Sequence, residues 1–191
     1  MPTVPGLDEF LGFVKKQLGS ATARMIGGAL TPSDWFKECQ EILQRNIYAS
    51  YSMGLGRLPT AAEERTIAAM FNEQREYLRN FYEEWQSGAL SEEQALMRIG
   101  MYGDRMRGFV EEGLVDGLGV DLPQVPGDGG TRCLANCKCH LEFEQSERRR
   151  GRGYEAVLNV YWVLGDAEHC DDCVKLSQKW NPKVVRPGAG R

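Results

Sequence analysis

The sequence predicts a mainly α-helical fold, a helical bundle or a set of helical hairpins, followed by a small zinc-bound β-hairpin module. Three observations predict it. Residues from Leu7 to about Leu118 carry apolar side chains at helical spacing, punctuated by capping residues and glycines. Five of the six cysteines fall between Cys133 and Cys173. A stretch rich in glycine and proline separates the two regions. The chain therefore divides into a helical region over 1–118, a linker over 119–132, a cysteine-rich zinc hairpin over 133–182 and a basic tail over 183–191.

The 191 residues are 42% hydrophobic and 26% charged, which suits a globular protein rather than a disordered one. A net charge of −4 argues against bulk nucleic-acid binding as the main task. No run approaches the roughly 18 consecutive apolar residues of a membrane span. The opening Met1-Pro2-Thr3-Val4-Pro5-Gly6 lacks the basic and apolar regions of a signal peptide, so folding in a reducing cytoplasm is expected.

The first helix starts at Leu7, with Phe10, Leu11, Val14, Leu18, Met25 and Ile26 on a broad apolar stripe. Gly12, Gly19, Gly27 and Gly28 weaken it and predict fraying or a break. The second opens at Thr31-Pro32-Ser33-Asp34, a capping hydroxyl followed by proline and an acid three residues on. Trp35, Cys39, Ile42, Leu43, Ile47 and Tyr51 recur at helical spacing, and Gly54-Leu55-Gly56 stops the run. Thr60 and Glu63 form the next capping pair, ahead of Ile67, Met70, Phe71, Gln74, Leu78, Phe81 and Trp85 on one face. Ser91 and Gln94 start a fourth helix carrying Ala95, Leu96, Met97, Met101, Tyr102 and Met106. Gly100, Gly103 and Gly108 inside it allow close packing or mark a break. Short connections favour antiparallel neighbours.

Beyond the linker, Lys138 to Phe143 and Tyr154 to Leu164 have strand character. The polar segment Glu147 to Gly153 is expected as a flexible turn with a basic tip. A short helix follows from about His169 to Trp180, ended by Pro182, and an extended tail is expected after it.

The chemistry lies in the cysteines. Cys133-Leu-Ala-Asn-Cys137-Lys-Cys139 offers soft ligands at close spacing, and Cys170-Asp-Asp-Cys173 offers a second pair whose two-residue spacer lets both thiolates face one ion. A hairpin between them returns the chain to its starting point. The preferred zinc ligands are Cys133, Cys137 or Cys139, Cys170 and Cys173. Strand alternation also allows Cys137 and Cys139 together, leaving Cys133 a bystander. His140 and His169 each adjoin a cysteine; each is a candidate ligand, but the role expected of them is to orient ligands or to play no part. The sulfur-rich set predicts a closed, structural Zn2+ site rather than a catalytic one. Cys39, on an apolar helix face, is expected in the core. No nucleophile elbow, P-loop or His-Glu-x-x-His run is present, and no enzymatic activity is expected. Arg148, Arg149, Arg150 and Arg152 at the hairpin tip are candidate contacts for nucleic acid or for an acidic partner.

A further signal lies in the succession Thr31-Pro32-Ser33-Asp34-Trp35, Tyr77-Leu78-Arg79-Asn80-Phe81, Gly88-Ala89-Leu90-Ser91, Met101-Tyr102 and Pro126-Gly127-Asp128-Gly129. It ends in Cys133-Leu-Ala-Asn-Cys137-Lys-Cys139 with His169-Cys170-Asp-Asp-Cys173. Together these resemble the minor head, or head-morphogenesis, proteins of tailed bacteriophages and prophages over most of residues 25–180. The cysteine segments are the specific part. The resemblance implies a few-copy or decorating structural or assembly component of a phage-like capsid or portal vertex, oligomeric or multi-copy in the assembly. Its partners would be capsid or portal protein, and its location the host cytoplasm and then the virion. A zinc hairpin binding DNA through its basic tip is the alternative.

Overall fold

The computed structural model describes residues 6–126, 131, 139–151, 153–165 and 168–186. Four long helices, α1 (Leu7–Ile26), α2 (Pro32–Leu55), α3 (Ala61–Gln86) and α4 (Glu92–Gly117), precede two long strands, β1 (His140–Arg150) and β2 (Gly153–Val163). A short helix α5 (Asp171–Lys179) and a short strand β3 (Lys183–Val185) follow. The fold is thus mainly helical with one small antiparallel sheet, ordered β1-β2-β3.

Local chemistry sets the helix starts. Thr31 Oγ1 accepts from the Asp34 amide at 3.1 Å, with Pro32 in the first helical position. Thr60 with Glu63 and Ser91 with Gln94 each form a reciprocal capping box. The first helix runs unbroken through Gly12 and Gly19, contrary to the expected fraying, because tertiary packing of Leu11, Val14, Leu18 and Ala21 outweighs weak local propensity. Gly56, with φ of 67°, occupies the left-handed position that ends α2.

Side-chain contacts fix the order of the helices. Trp35 Nε1–H donates to Thr22 Oγ1 at 3.0 Å, and Asn46 donates to Gln17 at 3.2 Å, so α1 and α2 run antiparallel. Trp35 packs against Phe81, Tyr82 and Trp85 of α3 at centroid distances of 5.5–5.8 Å. Phe81 meets Tyr102, and Arg98 reaches Glu84, which sets α4 antiparallel to α3. Asp8–Arg107 at 2.9 Å and Lys15–Asp104 at 2.6 Å close α4 against α1.

The unusual contact is between the alternate helices α2 and α4. A Cβ built on Gly54 would lie 2.0 Å from the Val110 carbonyl oxygen, and one on Gly113 would lie 2.1 Å from that of Tyr51. Only glycine lets these two backbones touch, so the second half of the bundle is pinched together. Tyr51 donates to Asp116 across the same contact. Of the glycines the sequence flags in α4, Gly103 does allow a close approach, to Lys15 of α1, while the contact with α2 falls on Gly113, and Gly54 lies inside α2 rather than ending it. Leu96 and Met97, expected on the apolar face of the fourth helix, are exposed, and Ile99 and Phe109 fill the core instead.

A second apolar core begins where the first ends. Leu114, Val115 and Leu118 at the end of α4 pack with Leu141, Phe143, Leu158, Val160, Trp162 and Trp180. Val120 and Val125, from the segment expected as a linker, are buried in it. The hairpin is tighter and longer than expected. Pairing extends to Arg150↔Gly153, with Gly151 at φ of 61° just beyond β1. Eleven residues per strand give an arm about 35 Å long. The tail carries β3, which pairs with β2 through Leu158↔Val185 to Val160↔Lys183.

Candidate metal centre

The hairpin register brings the cysteine groups to one end of the sheet. His140, first in β1, pairs with Val163, last in β2, so Cys139 emerges beside the loop that leads into α5. Helix α5 then folds back on β2. Trp180 meets Trp162 edge to face at 5.6 Å, and the Trp162 amide donates to the Trp180 carbonyl at 3.3 Å. This places Cys170 at the N-cap of α5 and Cys173 in its first turn. Cys139 and Cys173 are fully buried in the second core, and half-buried Cys170 packs against it.

His169 is oriented from both sides. Its Nε2 lies 2.7 Å from the Gly165 carbonyl oxygen, and its Nδ1 lies 3.7 Å from Cys139 Sγ. The other histidine, His140, sits half-exposed with Nε2 3.5 Å from Glu142. The sequence treats the two histidines alike, and only the fold separates them. The signal for His169 was its place in a His-Cys-x-x-Cys run.

Cys133 and Cys137 lie outside the described residues, as does Arg152. Among the described residues, no group of three His, Cys, Asp or Glu side chains is placed to hold a metal ion. The structure therefore brings Cys139, Cys170 and Cys173 to one core without itself composing a ligand set. Cys39 is in the bundle core, where burial pushes its thiol well above the usual range.

Near this centre stands a group the sequence did not single out. Glu111, on α4, is buried, and burial pushes its carboxyl up to about 7. It accepts the Leu141 amide of β1, and its Oε2 has no partner among the described residues. It ties the bundle to the hairpin at one point.

At the far end of the arm, Arg148, Arg149 and Arg150 are exposed. Arg150 pairs with Glu155 at 2.9 Å, and Arg186 reaches the same carboxylate at 2.9 Å. Those contacts, Arg186 first, hold the Glu155 carboxyl below its ordinary range. Arg148 and Arg149 have no ion pair among the described residues. Tyr154, opposite Arg149, is 74% exposed.

These features define a class of protein: an α-helical bundle continuing into a cysteine-bearing hairpin module with a basic tip. Comparisons with family models, with curated proteins and with solved structures find no significant match to this chain. No helix among the described residues is long and apolar enough to cross a membrane.

Proposed function

We propose that this chain is a structural or assembly component of a phage-like head, a minor capsid or head-morphogenesis protein, whose hairpin module is locked by a structural zinc ion. The observation that carries the reading is the gathering of Cys139, Cys170 and Cys173, from both sides of the hairpin, into one small core. Cys133 or Cys137 would complete the thiolate set. Zinc bound there ties the start of β1 to the start of α5 and makes the arm a rigid element for a partner to grip. The particle assignment is carried by the resemblance of the cysteine segments and helical motifs. It names capsid or portal protein as the partner, multiple copies as the working form, and no catalytic step. The host cytoplasm followed by the virion is the location it implies.

Two measurements test this. Elemental analysis of the reduced protein should find one zinc per chain, lost in Cys170→Ser and Cys173→Ser; no metal in the reduced wild type would overturn the zinc reading. In sucrose gradients of lysate containing assembled heads, the chain should travel with the particles. Recovery only at the top of the gradient would overturn the particle assignment.

Exposed Arg148 and Arg149, free of ion pairs among the described residues, favour a second reading in which the arm contacts DNA phosphates. Affinity for duplex DNA should then fall with salt and drop in Arg148→Ala/Arg149→Ala. Binding indifferent to salt would exclude it.

A further inference from the structure

Strand β1 is the edge of the sheet, paired with β2 on one side only. One contact fixes which of its backbone groups face outward. Glu111 of α4 accepts the Leu141 amide, so that amide points away from β2. Along an antiparallel strand these groups alternate in direction from one residue to the next. Phe143, Gln145, Glu147 and Arg149 therefore also turn their amides and carbonyls away from β2, along an edge that no further strand covers among the described residues. Leu141 is taken by α4. The open run is thus Phe143 to Arg149, and its midpoint is Ser146.

Charge is arranged about the same midpoint. Glu142 and Glu144 lie on the bundle side of Ser146, and Arg148 and Arg150 lie on the tip side. All five side chains share one face, because strand side chains repeat every two residues. An edge carrying charge of a single sign repels copies of itself, which is how exposed edges are kept apart. Here the two halves carry opposite signs, so two copies laid antiparallel attract.

We infer that β1 is a self-association edge, on which β1 of a second copy of this chain pairs antiparallel about a two-fold axis through Ser146. This register sets Glu144 against the partner's Arg148 and Glu142 against the partner's Arg150, and the axis repeats both pairs. Phe143, Gln145, Glu147 and Arg149 exchange the main-chain hydrogen bonds. The other face sets Gln145 against the partner's Glu147 and Phe143 against the partner's Arg149, so no like charges are opposed. Glu144 and Arg148 are both exposed, and neither has an ion pair among the described residues, so this central pair is open to the partner. Small Ser146 meets its own copy at the axis. Such pairing is independent of zinc and of the particle assignment.

Sedimentation equilibrium of the full chain under reducing conditions tests it. The wild type should approach twice the chain mass as concentration rises. Arg148→Glu and Glu144→Arg should each weaken the dimer by about tenfold or more, since the axis makes each change count twice and opposes like charges. An equimolar mixture of the two variants should recover dimer, because both ion pairs re-form with their signs exchanged. Gln145→Pro removes one outward amide and should abolish association, whereas Gln145→Ala should not. Ser146→Cys should form a covalent dimer on mild oxidation that the wild type, treated alike, does not, since residues facing each other at such a position stand about 4.5 Å apart between Cα atoms. A mass of one chain at every concentration would overturn the inference and leave the edge to a strand of a different protein. A dimer indifferent to both charge reversals and to Gln145→Pro would overturn it too, by placing the interface elsewhere.

Discussion

Glycines in this chain differ sharply in what they do, and the difference is measurable one residue at a time. Gly113 sits where a Cβ would meet the Tyr51 carbonyl oxygen at 2.1 Å, whereas a Cβ on Gly12 meets nothing within 4 Å. Gly113→Ala should therefore lower stability by about 2 kcal/mol or more, since backbone must move to admit the methyl group. Gly12→Ala should raise it by about 0.5–1 kcal/mol through helix propensity. Urea unfolding of the two variants checks both signs. Glu111 gives a pH signature at the same scale. The folded chain keeps its proton up to about pH 7, while a free carboxyl releases it near pH 4.5. Native stability attributable to this group therefore falls as pH rises from about 4.5 through 7, by on the order of 3 kcal/mol. Glu111→Gln, which keeps an acceptor for the Leu141 amide, should stabilise the protein at pH 8 and have little effect below pH 4.5. A gain of equal size at both pH values would sink this account.

The elements owe their boundaries to side chains that satisfy helix ends. In α3, Glu63 accepts from the Thr60 amide and hydroxyl and from both Arg57 nitrogens at 2.7–2.8 Å, so one carboxylate joins the cap to the preceding turn. Loss of the cap in Thr60→Ala should cost about 1 kcal/mol, and Ser91→Ala at the start of α4 about the same, each visible as a lower urea midpoint. These caps were legible in sequence because they depend on residues three positions apart. The hairpin was legible only in part. Glu147 to Gly153 has the composition of a flexible turn, yet Glu147 to Arg150 continue the paired strand. Arg150 finds Glu155 across the ladder, and Arg186 joins them from beyond β3, a partner no local pattern could supply.

At the scale of the whole molecule, α4 belongs to two cores. Its Ile99, Met106 and Phe109 close the bundle, and its Leu114, Val115 and Leu118 floor the hairpin module. The four aromatic reporters divide the same way, with Trp35 and Trp85 in the first core and Trp162 and Trp180 in the second. With zinc bound as proposed, its removal by a chelator, or Cys173→Ser, should alter the fluorescence of Trp162 and Trp180, measured in a Trp35→Phe/Trp85→Phe background. Most of the far-ultraviolet helical signal should remain, because α1–α4 hold nearly all the helix. Structural zinc in small modules supplies on the order of 10 kcal/mol of apparent binding energy, so the local loss should be large. Equal loss of helical signal would show that the shared α4 makes the two cores one cooperative unit.

The amino-acid sequence by itself determined the four long helices, their capped starts, the paired strands and the concentration of thiols in the segments before and after the hairpin. Each of these follows from spacing along the chain, at 3.6 residues per helical turn and two per strand repeat. Tertiary structure alone decided which glycines let α2 and α4 touch. It also decided that Val120 and Val125 are core rather than linker, that Glu111 is buried at the joint, and that His169 rather than His140 faces a cysteine. These are relations between residues dozens of positions apart, set by how surfaces pack, and periodicity along one chain carries no record of them.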